Sequence, residues 1–424
     1  MSRHFPESPR SRIDALLSAE GVPSDHTLIV PGRIEILGKH TDYAGGESLT
    51  CASTRSIVAA GYSHDASSLI LEDRARRQRA ELPYENPRPA ASWTTYPVAA
   101  LRRVCRHFGP PARGVRIVFA SNLLSASGMS SSSALVVTVV SALLGEHHAD
   151  LPFESRMDLA GFAGAVESGA AWRDFPGDDG VGTRGGSQDH TAILCSREGH
   201  ASLFGYNPIV CYERVAWPEH MVFAIGGSGV KARKTGGARE MYNAISRRAS
   251  EVARLYSEDL GEKYAHMGAM MEAPHFDRES LRWAIPDDDL WDRYQQFERE
   301  CAHVLPSAVR AIQQADWAAF SSATAESQQM ASQWLGNQVV QTEALVEFAL
   351  EAGSWGASSF GAGFGGAVWA AIERSKADAF LDDWQERYLV RFPEQQSSSI
   401  FLADQPGPPA WSSEKGLLAR LSDD

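Results

Sequence analysis

The chain alternates between short apolar runs with strand spacing and longer runs with helical spacing. "HTLIVPGRIEILG" predicts strand, turn, strand, and "SIVAAGY", "SLILED" and "GVRIVFAS" add further strands. "YPVAALRRVCRHFG" has helical spacing and stops at Gly109, with two prolines after it. "SSSALVVTVVSALLGEHH" opens on serines, good N-cap residues, and then runs apolar. "RMDLAGFAGAVESGAAW" predicts a further helix, and "RDFPGDDGVGTRGGSQDH" reads as loop from its Gly, Pro and Asp content. Strand pattern returns at "HMVFAIGG", Asp287 to Ala352 is helical, and "SSFGAGFGGAVWAAI" is a Gly-rich turn feeding a buried strand. Strands and helices mix in both halves, so the fold class is α+β rather than a doubly wound sheet. A boundary near residue 210 gives two domains, 1–210 and 211–424.

Composition narrows the function classes. The 424 residues exceed one ordinary core, and 43% hydrophobic with 22% charged is normal globular material. A net charge of −13 speaks against a general nucleic-acid surface, which needs a basic stripe. It does not exclude a small anionic ligand, because a local nest of backbone N–H groups outweighs global charge. Cys51, Cys105, Cys195, Cys211 and Cys301 have no C-x-x-C spacing, so neither a disulfide framework nor a zinc site is expected. The polar "MSRHFPESPRSR" start is no secretory signal, and no apolar run reaches the length that spans a membrane. A cytoplasmic protein without membrane or nucleic-acid partners is expected.

Three Gly- or Ser-rich pieces carry candidate chemistry. "PGRIEILGKHTDYAGG", Pro31 to Gly46, crowds Arg33, Lys39, His40 and Asp42 at a strand end; alone it is either a solvated loop or a grip on something small and polar. "LLSASGMSSSSALVV" is strand, Gly-Ser loop, apolar helix, and its N–H groups and helix dipole suit a phosphate. It is no Walker A loop, and a helix cap with surplus serine explains it equally well in isolation. "FGAGFGGAV" has four glycines between Gly361 and Gly366, which a tight turn or a close backbone approach requires.

Order and spacing decide among these readings. Together the pieces resemble the GHMP kinase superfamily, and within it the galactokinases: G-R-x-N-L-I-G-E-H-T-D-Y-x-G-G at Gly32–Gly46, G-L-S-S-S-A at Gly128–Ser133, and G-A-G-F-G-G at Gly361–Gly366. "SWTTYPVAAL" and "QADWAAFSSATAESQ" add weaker likeness. The resemblance implies an N-terminal domain like ribosomal protein S5 domain 2, a ferredoxin-like C-terminal domain, and an active site in the cleft between them. It implies an ATP-dependent sugar 1-kinase with Mg²⁺ as cofactor, acting as a monomer or weak homodimer. Gly128, Met129, Ser130, Ser131, Ser132 and Ser133 would bind ATP. Ser132 and Glu167 would hold the metal, Asp158 being a competing carboxylate more simply read as a solvated helix face. Asp189 would orient the attacking hydroxyl with Arg33 beside it, and Lys39, His40, Asp42, Gly186 and Tyr242 would line the sugar pocket.

The chain departs from the family at three places. Lys39 stands where galactokinases carry Glu, which favours an acidic sugar such as galacturonate unless Lys39 pairs internally, with Glu35 as a partner. Glu167 and Asp189 lie 22 positions apart, farther than in the family, and the Gly- and Asp-rich filling reads as a mobile lid. "GGSQDH" replaces G-I-M-D-Q, and its Gln before Asp is closer to the fucose and heptose kinases, which also act at C1. A non-enzymatic sugar sensor is the remaining reading; the full-length Ser-rich loop together with Arg33, Glu167 and Asp189 speaks against it.

Overall fold

A computed structural model describes residues 5–124, 128–146, 151–230, 237–285 and 287–423. The strands are β1 (His26–Leu37), β2 (Glu47–His64), β3 (Ser68–Asp73), β4 (Gln78–Pro83), β5 (Gly114–Ser121), β6 (His200–Gly205), β7 (Val210–Ala216), β8 (Met221–Gly227), β9 (Ala357–Phe360), β10 (Ala367–Glu373), β11 (Ile400–Asp404), β12 (Pro406–Gly407) and β13 (Trp411–Ser412). The helices are α1 (Pro9–Glu20), α2 (Thr95–Phe108), α3 (Ser131–Gly145), α4 (Arg156–Ser168), α5 (Gln188–Cys195), α6 (Gly237–Leu260), α7 (Met267–Met271), α8 (Arg278–Ala284), α9 (Asp288–Arg299), α10 (Leu305–Gln314), α11 (Trp317–Met330), α12 (Val340–Glu351) and α13 (Ala377–Arg391).

Two sheets organise the α+β chain. The larger runs β13-β1-β2-β5-β3-β4, with β6 and β12 also on β2 and β7 on β6. The smaller is antiparallel, β11-β8-β10-β9. Leu143, Phe162, Ile193 and Leu101 from α2 to α5 bury against Leu28, Ile57 and Ile117 of the larger sheet. A second core joins the sheets: Ile34, Ile36 and Leu49 meet Phe223, Trp369 and Phe320. Burying such side chains stabilises by about 1.5–3 kcal/mol each, and this shared core holds the two sheets together.

Two expectations change. The turn expected within "HTLIVPGRIEILG" does not form. β1 runs unbroken to Leu37, and register shifts at Pro31/Arg33 and Glu35/Leu37 absorb the proline that cannot donate to the ladder. The cut at 210 falls at the start of β7, which pairs with β6, and β12 and β13 return the C-terminus to β2 and β1. The larger unit is therefore discontinuous in sequence.

At the bulge, a Cβ on Gly32 would lie 2.6 Å from the Met129 carbonyl oxygen and 2.6 Å from Leu123 Cδ2. Only glycine lets β1 approach the Gly-Ser loop this closely. The next residue, Arg33, then donates its backbone N–H to Met129 O at 3.2 Å. Sequence-distant motifs are thereby brought edge to edge.

Candidate functional site

Arg33 and Glu35 sit two apart on β1 and so share one face. Both are buried. Asp189, expected in a loop, occupies the first turn of α5, where the helix dipole favours its charge. Arg33 Nη2 lies 2.7 Å from Asp189 Oδ1 and 3.6 Å from Glu35 Oε2, while Nη1 donates to the Gly128 carbonyl. Burial works against the guanidinium charge, yet Asp189, Glu35 and Asp42 outweigh it and raise the Arg33 pKa. Burial pushes the Glu35 carboxyl up to about 7, against the pull of Arg33 and Lys39.

That shift has a consequence for stability. The native state holds the Glu35 proton to about pH 7, while an unfolded carboxyl releases it near its ordinary value. Raising the pH across that window therefore removes stability, because the folded state binds more protons there. Glu35→Gln should gain stability over wild type on going from pH 5 to pH 8, read as the difference in urea midpoints. Equal differences at both pH values would mean Glu35 is ionised throughout.

The phosphate-cradle side is built by α3. Its N-cap, Ser130, is left-handed (φ 55°), and positions 125–127 of the Gly-Ser loop lie outside the described residues. The hydroxyl that meets the carboxylates is that of Ser133, one position beyond the expected Ser132. Ser133 Oγ donates to Glu167 Oε2 at 2.8 Å and Asp189 Oδ2 at 3.2 Å. His190 Nε2 sits 3.1 Å from the same Glu167 oxygen. Among the described residues, no three His, Cys, Asp or Glu side chains group to hold a metal. A hydroxyl and one or two carboxylates suit a hard cation that takes its remaining ligands from phosphates and water. Asp158 is not part of this set: its Oδ2 accepts from Glu154 N and Ser155 N, closing a capping box at the start of α4.

The Lys39–Asp42 turn faces the other side. Asp42 Oδ2 accepts from Gln188 N at 3.2 Å, and burial raises the Asp42 pKa. A Cβ on Gly186 would come 2.5 Å from that oxygen, so glycine is required. With its proton on Nε2, His40 donates to the Ala362 carbonyl at 3.2 Å and accepts from Tyr43 OH at 2.8 Å. Tyr242, on α6, packs its ring 5.2 Å from that of His40. Arg33, Glu35, His40, Asp42, Glu167, Thr183, Gly186, Asp189, Tyr242 and Gly361 thus line one cavity.

Lys39 is the exception. Its ammonium is buried and turned from that cavity, donating to Ser358 Oγ at 2.6 Å and Ser327 Oγ at 3.2 Å. Burial lowers its pKa against Glu300 and then Glu35. The internal partner is therefore chiefly Glu300 through Ser327, whose hydroxyl donates to Glu300 Oε1 at 2.8 Å. Sequence reasoning missed the residues that hold this turn from behind. Gly38 N donates to Glu300 Oε1 at 2.7 Å, Gln296 Nε2 donates to Lys39 O at 3.2 Å, and Arg293 Nη2 donates to His40 O at 2.5 Å. The signal was available: Arg293, Gln296 and Glu300 are spaced three and four apart on one helical face, polar where a buried stripe would be apolar.

The insertion before Asp189 is packed rather than lid-like. Trp172 stacks on Phe175 at 5.9 Å, and both meet an aromatic cluster of Phe108, Phe153 and Phe162. Buried Arg103 holds Asp178 at 3.1 Å, and Val181 N donates to Glu167 O at 2.9 Å. Its aromatic contacts and buried ion pair outweigh the flexible glycines.

Comparison with known proteins agrees with this layout. The GHMP kinases N terminal domain matches residues 95–176, the galactokinase galactose-binding signature 19–62, and the GHMP kinases C terminal domain 308–389. The chain is 28% identical to a galactokinase of Thermococcus kodakarensis over 86% of this chain and 94% of that one. It is 26% identical to a galactokinase of Lacticaseibacillus casei over 87% and 90%. Its fold superposes on Lactococcus lactis galactokinase complexed with galactose, with a TM-score of 0.79 at 18% identity, over 95% of this chain and 99% of that one.

Proposed function

The chain carries both GHMP kinase domains and the galactose-binding signature, which makes it a member of the GHMP kinase superfamily, and from that premise we propose that it is an ATP-dependent galactose kinase. It transfers the γ-phosphoryl group of ATP to the anomeric hydroxyl of galactose. The observation that carries the reading is the position of Asp189, ion-paired to Arg33 and hydrogen-bonded to Ser133, on the wall of the cavity that Asp42, His40 and Tyr242 also line.

Phosphoryl transfer needs the phosphates cradled, their charge offset and the acceptor hydroxyl aimed. Gly128 to Ser133 cradle the phosphates at the start of α3. Ser133 and Glu167 would hold Mg²⁺, which when bound offsets phosphate charge. Asp189 accepts the proton of the attacking hydroxyl, and Arg33, ion-paired to it, faces the charge that develops on the transferring group. Asp42 accepts from ring hydroxyls, with His40, Gly186 and Tyr242 completing the pocket. The acidic-sugar alternative rested on a Lys39 ammonium facing substrate, and that ammonium is committed to Ser358 and Ser327.

Among the described residues no helix is long and apolar enough to cross a membrane, and the five cysteines are unbridged. The test is coupled ADP release with ATP-Mg²⁺ against galactose, galacturonate, glucuronate, N-acetylgalactosamine, fucose and a heptose. Galactose should turn over fastest. Preference for a uronate would overturn the placement of Lys39, and silence on all six would overturn the kinase reading.

A further inference from the structure

Thr183 is 3% exposed and lines the cavity, yet its hydroxyl makes no hydrogen bond among the described residues. The hydroxyl is not among the fully enclosed side-chain atoms that lack a partner, so it is reached from the cavity and can pair with a ligand there. The backbone around it is fixed on both sides by a single side chain. Asn243 Nδ2 donates to Gly182 O at 3.0 Å, and Asn243 Oδ1 accepts from Arg184 N at 2.9 Å. One amide thus brackets Thr183, and Asn243 is itself buried on α6 next to Tyr242. The same stretch is tied to Glu167 O through Val181 N, and Gly186 abuts Asp42. These ties fix the backbone on either side of Thr183.

We propose that Thr183 is a substrate-contacting, specificity-determining residue whose hydroxyl pairs with a sugar hydroxyl, and that Asn243 is the residue that positions it. The inference rests on the sugar-kinase reading of this cavity. Its sequence signals were weak: Thr183 lies in the stretch read as loop, and Asn243 lies one residue past the expected sugar-facing Tyr242.

The test is calorimetric binding of galactose and its 2-, 3-, 4- and 6-deoxy analogues to wild type, Thr183→Val, Thr183→Ser and Asn243→Ala, with circular dichroism to verify folding. Thr183→Val should weaken galactose about tenfold, and Thr183→Ser should restore it. One deoxy analogue that wild type discriminates against should lose that penalty in Thr183→Val, which identifies the hydroxyl. Asn243→Ala should weaken galactose alone but add nothing in the Thr183→Val background, because both changes remove the same contact. Galactose binding to wild type with Thr183→Val unchanged would overturn this inference and leave the kinase reading standing. Additive losses would overturn the role of Asn243. Wild type that binds none of the sugars would overturn both the inference and the reading beneath it.

Discussion

Asp189→Asn is expected to lower kcat by about 10²–10⁴ while leaving the fold and the KM for both substrates nearly unchanged. Asparagine is isosteric: its Oδ1 can accept from Arg33 Nη2 as the carboxylate Oδ1 does at 2.7 Å, while its Nδ2 takes the place of the Oδ2 that lies 3.2 Å from Ser133 Oγ and can donate to that hydroxyl. It cannot take a proton from the acceptor hydroxyl. Removing the Asp189 charge also removes one of the influences that hold the proton on Glu35, so Glu35, 3.6 Å from Arg33, can ionise as the counter-charge and the site should not collapse. Steady-state kinetics against ATP and against galactose separate the possibilities. A kcat within a few-fold of wild type would remove Asp189 from proton transfer and leave it a partner of Arg33 alone. A rise in both KM values at unchanged kcat would mean that it holds ground-state geometry instead.

The sequence disclosed the parts that are local and lost those that depend on distant partners. Three motifs in a fixed order were enough to bring Arg33, Asp42, Asp189 and the Gly-Ser loop into one picture. The helical phase of the serine run was not readable. Four consecutive serines differ only by about 100° of rotation each, and which one meets Glu167 is set by the left-handed turn at Ser130. The rigidity of the insertion was hidden for a similar reason. Its own composition is glycine and aspartate, but Trp172 and Phe175 find partners at Phe108, Phe153 and Phe162, outside the segment. The continuity of β1 likewise depended on β2 accommodating a bulge opposite Pro31.

Lys39 is the sharpest case of a residue whose meaning lies elsewhere in the chain, and it carries the second large expectation. Lys39→Met should destabilise the protein by about 3 kcal/mol, because it leaves the buried Glu300 without its opposing charge. Glu300 would keep only the Gly38 N–H and the Ser327 hydroxyl on Oε1, and its Oε2 already has no hydrogen-bond partner. The backbone of Gly38 to His40 hangs on that carboxylate together with Gln296 and Arg293, so sugar affinity should fall along with stability. Adding Glu300→Gln should recover most of the loss, since removing both charges of a buried pair costs far less than removing one. Urea midpoints for the two single variants and the double variant, beside galactose binding for each, read this directly. A Lys39→Met protein of wild-type stability with altered sugar preference would mean that the ammonium faces substrate after all. Additive losses in the double variant would mean that Lys39 and Glu300 act independently, and the turn would then owe its geometry to Arg293 and Gln296.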